Sequence, residues 1–129
     1  MDRELCKIML VDDEPDIREV AKLSLEMVGG LQVVTCKDGI EALEKVTEIA
    51  PDLILLDVMM PGMDGPETLT KMKAAGVIDA IPVLFMTAKV QPNEVAGYKE
   101  LGAADVIAKP FDPMTLADQV KSVWNGCEV

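Results

Sequence analysis

The sequence predicts an α/β fold, a five-stranded parallel sheet with five helices covering both faces, formed by residues 1–129 as a single domain. Short apolar runs alternate five times with segments of helical periodicity, which is the pattern of βα units. The runs are apolar at nearly every position, as in LILL at 53–56, and strands of that kind are buried on both faces. Four of the five runs end beside a polar residue able to do chemistry, where an open parallel sheet binds its ligands.

The elements follow in order. CKIMLV at 6–11 is the first strand and stops at Asp12-Asp13. Ile17, Val20, Ala21, Ser24, Leu25 and Val28 then recur at helical spacing, and Gly29-Gly30 ends that helix. LQVVTC at 31–36 is the second strand, and Asp38-Gly39 opens a helix carrying Ile40, Leu43 and Val46. Pro51 punctuates before LILL, the third strand, and a helix over about 65–75 presents Leu69 and Met72. PVLFMT at 82–87 is the fourth strand, with a helix over about 92–101 behind it. DVIA at 105–108 is the fifth, and a final helix over about 112–125 turns Leu116, Val120, Val123 and Trp124 to the core.

Composition removes several function classes. A net charge of -11 argues against direct binding to nucleic acid or an acidic membrane, because phosphate contacts need Lys and Arg. No apolar run approaches the ~20 residues of a membrane span, so a chain without a secretory signal, working in the cytoplasm, is expected. The cysteines Cys6, Cys36 and Cys127 are odd in number and lack metal-ligand spacing, which reads as reduced thiols. Histidine is absent, and with it Ser-His and Cys-His catalysis and any phosphohistidine carried by this chain.

At the strand ends stand Asp12 and Asp13, Asp57, Thr87 and Lys109, while the second strand ends in Thr35, Cys36 and Lys37. Each has an ordinary reading: Asp12 or Asp13 as a helix N-cap, Thr87 as a structural hydroxyl, Lys109 as a solvated residue before proline. Asp57 resists that reading, since no helix starts directly after it. If the four strands are neighbours, three carboxylates, a hydroxyl and an ammonium converge. Crowded carboxylates repel unless a cation intervenes, and an oxygen-only set suits Mg²⁺.

LVDDEPDIRE at 10–19, DLILLDVMMPGMDG at 52–65, PVLFMTA at 82–88 and GAADVIAKPF at 102–111 together resemble the receiver domain of bacterial response regulators, across the whole chain and in order. The single-domain receivers of chemotaxis look most similar. The resemblance implies the flavodoxin-like strand order 2-1-3-4-5. It makes Asp57 the phosphoacceptor and Asp13 a direct Mg²⁺ ligand. Asp12 binds the metal through water or shapes the site, and Met59 offers its backbone carbonyl to the metal. Thr87 hydrogen-bonds the phosphoryl group, Lys109 pairs with it, and the Lys109–Pro110 bond is expected to be cis. Elementary chemistry agrees: phosphoryl transfer to a carboxylate needs in-line positioning and charge neutralisation. Mg²⁺ and Lys109 provide the charge, and Thr87 with the N–H groups of Met59 and Ala88 provides hydrogen bonds.

The implied function is a phosphorylation-activated switch of a two-component phosphorelay. A histidine kinase or phosphotransfer protein donates the phosphoryl group. A downstream protein target binds the fourth helix (Glu94, Tyr98, Lys99), the fifth strand and the last helix. The chain catalyses its own phosphorylation and slow dephosphorylation, without turnover of an external substrate. Tyr98 reads equally as a partner contact or as a half-buried aromatic without special role.

Two positions depart from the family pattern. Val106 stands where many receivers carry a swinging Tyr or Phe, and valine is stiff at χ1. Switching is therefore expected to use Thr87 and the loop 88–91. Met59 and Lys89 flank the site entrance, a bulky thioether and a long cation that oppose hydrolysis.

Three other readings compete. A haloacid-dehalogenase-type phosphatase wants an acid two residues after its nucleophile, where this chain has Met59. A flavodoxin-like cofactor carrier wants a phosphate-cradling loop after the first strand, where this chain has DDEPD. The chain also reads as a receiver cut from a larger multidomain regulator or hybrid kinase.

Overall fold

The computed structural model describes residues 4–126, and Cys127 lies outside them. The elements run β1 (Lys7–Val11), α1 (Pro15–Met27), β2 (Gln32–Cys36), α2 (Gly39–Ile49), β3 (Leu53–Asp57), α3 (Gly65–Ala74), β4 (Val83–Thr87), α4 (Pro92–Glu100), β5 (Asp105–Ala108) and α5 (Leu116–Gly126). The five strands form one parallel sheet in the order β2-β1-β3-β4-β5.

Side chains alternate across the sheet, so a strand apolar at every position feeds two cores. Leu53 and Leu55 of β3 join Leu10, Leu25, Leu116, Val120 and Trp124 on the side of α1 and α5. Ile54 and Leu56 join Met9, Val46, Leu69, Met72 and Phe85 on the side of α2 and α3. That double burial holds β3 rigid and fixes where its last residue, Asp57, points. Leu69 and Met72 of α3 and Leu116, Val120 and Trp124 of α5 are buried as the periodicity predicts.

α4 is different, because none of its residues is buried. It leans on the sheet through half-buried Tyr98, whose ring meets Phe85 edge-on with centroids 5.2 Å apart.

Three details correct the sequence reading. Ile40 is 56% exposed, and Val20 and Val28 are also exposed, because the sheet covers a narrower stripe of α1 and α2 than the apolar periodicity spans. α5 begins at Leu116 rather than near 112. Asp112 accepts the Met114 N–H on Oδ1 (2.9 Å) and the Thr115 and Leu116 N–H groups on its carbonyl, so a local turn precedes the helix. The N-cap of α1 is Glu14, neither Asp12 nor Asp13.

Candidate functional site

The site lies at the carboxyl edge of the sheet. β1 delivers Asp12 and Asp13, β3 ends in Asp57, β4 ends in Thr87, and Lys109 follows β5. β2, which ends without a comparable group, is the edge strand beyond β1.

Asp57 is more enclosed than a residue at a sheet edge need be, at 2% exposure, and Asp12 is fully buried. Lys109 Nζ donates to Asp12 Oδ2 (2.9 Å) and to Asp57 Oδ1 (3.0 Å), one ammonium bridging two carboxylates. Asp12 Oδ1 accepts the Glu14 N–H (2.9 Å), which leaves both of its oxygens engaged. By contrast, Asp13 Oδ1 and Asp57 Oδ2 are buried without a hydrogen-bond partner. Buried polar atoms are nearly always paired, so two partnerless carboxylate oxygens in one place fit a cation site. One carboxylate oxygen each of Asp12, Asp13 and Asp57 lies within 4.8 Å of the others. An all-oxygen set with one or two free carboxylate atoms fits a hard divalent ion.

The electrostatics follow from the enclosure. Burial, with the nearby Asp12 charge, pushes the Asp57 carboxyl up to about 6, against the pull of Lys109. Burial works to lower the Lys109 pKa, but hydrogen bonds to Asp12 and Asp57 outweigh it and hold the ammonium above its usual value. Lys109 alone therefore does not balance the three carboxylates of Asp12, Asp13 and Asp57.

The surrounding loops shape the entrance. Pro61 precedes Gly62, whose φ of 78° lets the chain reverse after β3. Met59, two residues after Asp57, leaves its side chain 68% exposed. Thr87 is buried, and its Oγ1 accepts the Lys89 N–H (3.0 Å) rather than meeting the carboxylates. The Lys109 N–H donates to the Thr87 carbonyl (2.9 Å), tying the two strand ends together, and the Lys109–Pro110 bond is cis. Ile17, Val20, Ala88, Lys109, Pro110 and Phe111 line an apolar recess of about 330 Å³ beside the site.

Two features escaped the sequence reading. Lys109 binds Asp12 as well as Asp57, which only the closeness of β1 and β3 makes possible. Arg18 Nη1 donates to the Asp12 carbonyl (2.8 Å), bracing the acidic loop from α1. A side chain bound to a backbone carbonyl leaves no periodic trace in a sequence.

This sheet order and this acidic edge define a receiver domain, and comparison with known proteins agrees. Residues 8–121 match the family model of the response regulator receiver domain, and the chain belongs to that family. It is a receiver domain of the response regulators of two-component systems. It is 38% identical over 123 residues to the alkaline phosphatase synthesis transcriptional regulatory protein PhoP of Bacillus subtilis, covering 95% of this chain and 50% of that protein. It is 38% identical over 117 residues to the phosphate regulon transcriptional regulatory protein PhoB of Pseudomonas aeruginosa, covering 90% of this chain and 50% of that protein. The chain thus spans about half the length of these curated relatives. Among solved structures, chemotaxis response regulator CheY4 of Vibrio cholerae superposes with a TM-score of 0.85 at 33% identity, over 92% of this chain and 98% of that one. Among the described residues, no helix is long and apolar enough to cross a membrane.

Proposed function

We propose that the chain is a phosphorylation-activated switch in which Asp57 takes a phosphoryl group from a partner phosphohistidine. The observation that carries this reading is the state of the Asp57 carboxylate: Oδ1 is held by Lys109, and Oδ2 is buried without a partner. In the transfer a carboxylate oxygen of Asp57 forms a bond to phosphorus as the bond from phosphorus to the donor imidazole breaks. The imidazole leaves with that electron pair. Lys109, already at 3.0 Å, offsets charge on the reacting oxygens. Thr87 reaches the phosphoryl group by exchanging its contact with the Lys89 N–H, and that exchange draws the loop 88–91 inward. Mg²⁺ held by Asp13, Asp57 and the Met59 carbonyl, with Asp12 acting through water or through the shape of the site, would neutralise phosphoryl charge.

The donor is a histidine kinase or phosphotransfer protein, and the apolar recess beside Lys109 suits its approach. The output surface is α4, β5 and α5, where the shallow seating of α4 permits rearrangement at small cost. The target there is a protein; net charge of -11 disfavours direct contact of this chain with nucleic acid. The reaction takes place in the cytoplasm, where such kinases present their phosphohistidine. Residues 1–129 act as one receiver unit. A second reading, the same switch as the receiver part of a longer regulator, is favoured by coverage of only 50% of PhoP and PhoB.

The test is an amide NMR comparison with and without beryllofluoride and Mg²⁺. Shifts at Thr87–Gln91 and along α4 and β5 support the switch. A spectrum changed only at Asp13, Asp57 and Val58 would leave the chain a phosphoacceptor without an output.

A further inference from the structure

We propose that Gly65 is a positioning residue for Asp57: its missing side chain lets the first turn of α3 rest on the phosphoacceptor's own peptide group. An ideal Cβ at Gly65 would overlap the Asp57 carbonyl oxygen and stand 2.9 Å from the Val58 Cα and 3.1 Å from the Asp57 carbonyl carbon. All three are backbone atoms, and none can rotate away. The Gly65 N–H donates to the Val58 carbonyl (2.9 Å), so the loop that carries Met59 closes back on the end of β3 at this residue. Asp64 fixes the start of α3 by accepting the Glu67 N–H (2.9 Å).

α3 has no room to retreat. α2 begins at Gly39, where a Cβ would overlap the Thr68 hydroxyl oxygen and lie 3.3 Å from Met63 Sδ. Thr68 is fully buried and donates its hydroxyl to the Asp64 carbonyl (2.7 Å). The first turn of α3 is therefore wedged between β3 and α2. A methyl group on Gly65 displaces the Asp57 peptide, because the alternative is to drive Thr68 into Gly39. The Asp57 carboxylate moves with its peptide, changing its reach to Lys109 and the aim of its unpaired oxygen. In-line attack tolerates little of either change.

The inference rests on Asp57 being the phosphoacceptor, and its test keeps the two apart. Gly65→Ala and Gly39→Ala are compared with the parent for thermal stability, Mg²⁺ affinity, Asp57 and Val58 amide resonances, and phosphorylation by acetyl phosphate. Gly65→Ala is expected to weaken Mg²⁺, shift both resonances and slow phosphorylation by roughly 10²-fold, the usual cost of misplacing a reacting group. Gly39→Ala is expected to lose stability comparably while its phosphorylation stays within about 3-fold of the parent, because its added methyl meets first a side-chain hydroxyl that can turn, rather than the Asp57 peptide. Removing the wedge in Gly65→Ala/Thr68→Ala lets α3 shift and is expected to restore roughly 10-fold of the rate, although stability falls further. The proposal is overturned if Gly65→Ala keeps parental Mg²⁺ affinity and resonances, if Gly39→Ala slows phosphorylation as much, or if the double variant regains nothing. A parent that takes no phosphoryl group removes the functional reading instead, and Mg²⁺ affinity with the two resonances still decides the placement of Asp57.

Discussion

Lys109 Nζ stands 3.0 Å from Asp57 Oδ1, while the other oxygen of that carboxylate is buried with no partner at all. Half of the functional group is held and half is left available, as the proposed binding of a cation and a phosphoryl group requires. The same ammonium also holds Asp12 at 2.9 Å, so its removal strands two buried carboxylates. Lys109→Met is expected to cost about 3 kcal/mol at neutral pH without divalent metal, the usual penalty for breaking a buried ion pair from one side. Urea unfolding measures it, and added Mg²⁺ should shrink the deficit.

The buried Asp57 carboxylate is expected to lower stability at neutral pH. Its carboxyl is pushed up from 3.8 to about 6, so the folded state binds the proton more tightly than the unfolded chain. The stabilisation from that proton is full below about pH 4 and is lost as pH rises through about 6. Asp57→Asn removes the buried charge and is expected to gain about 1–3 kcal/mol near pH 7.5 in metal-free buffer. The gain should fade toward pH 4; an equal gain at both pH values would contradict the buried-carboxylate account.

Much of this was legible beforehand, and the exceptions have physical causes. Strands buried on both faces announce themselves by unbroken apolar runs, so LILL at 53–56 located β3 and, with it, Asp57. The order β2-β1-β3-β4-β5 came from the family likeness, since apolar pattern does not say which strands adjoin. Ile40 illustrates another limit: periodicity shows a helix stripe, but how much of it is covered depends on docking against the sheet. Asp12 taken alone has the ordinary reading of a cap; in the fold its Oδ1 accepts the Glu14 N–H while its Oδ2 pairs with Lys109, a tertiary contact no local pattern announces.

Ala50 closes α2 with φ 50° and ψ 58°, the left-handed region where a Cβ is strained. Ala50→Gly is expected to stabilise by about 0.5–1 kcal/mol, net of the extra freedom glycine gives the unfolded chain. Thermal unfolding at matched pH checks the sign.

Met59 is 68% exposed two residues after Asp57, and on the proposed reading it is expected to hinder the water that would hydrolyse an aspartyl phosphate. Met59→Asn is expected to shorten the lifetime of the phosphorylated chain several-fold by admitting and orienting that water. Decay of the phosphorylated species after donor removal is the readout, and an unchanged lifetime would assign the barrier to Lys89 or elsewhere.

The central claim is that Asp57 receives the phosphoryl group. Incubation with Mg²⁺ and acetyl phosphate, followed by intact mass, tests it most directly. A mass gain of one phosphoryl group in the parent, absent from Asp57→Asn and abolished by chelator, is the predicted result. No adduct, or an adduct that persists in Asp57→Asn, would contradict it.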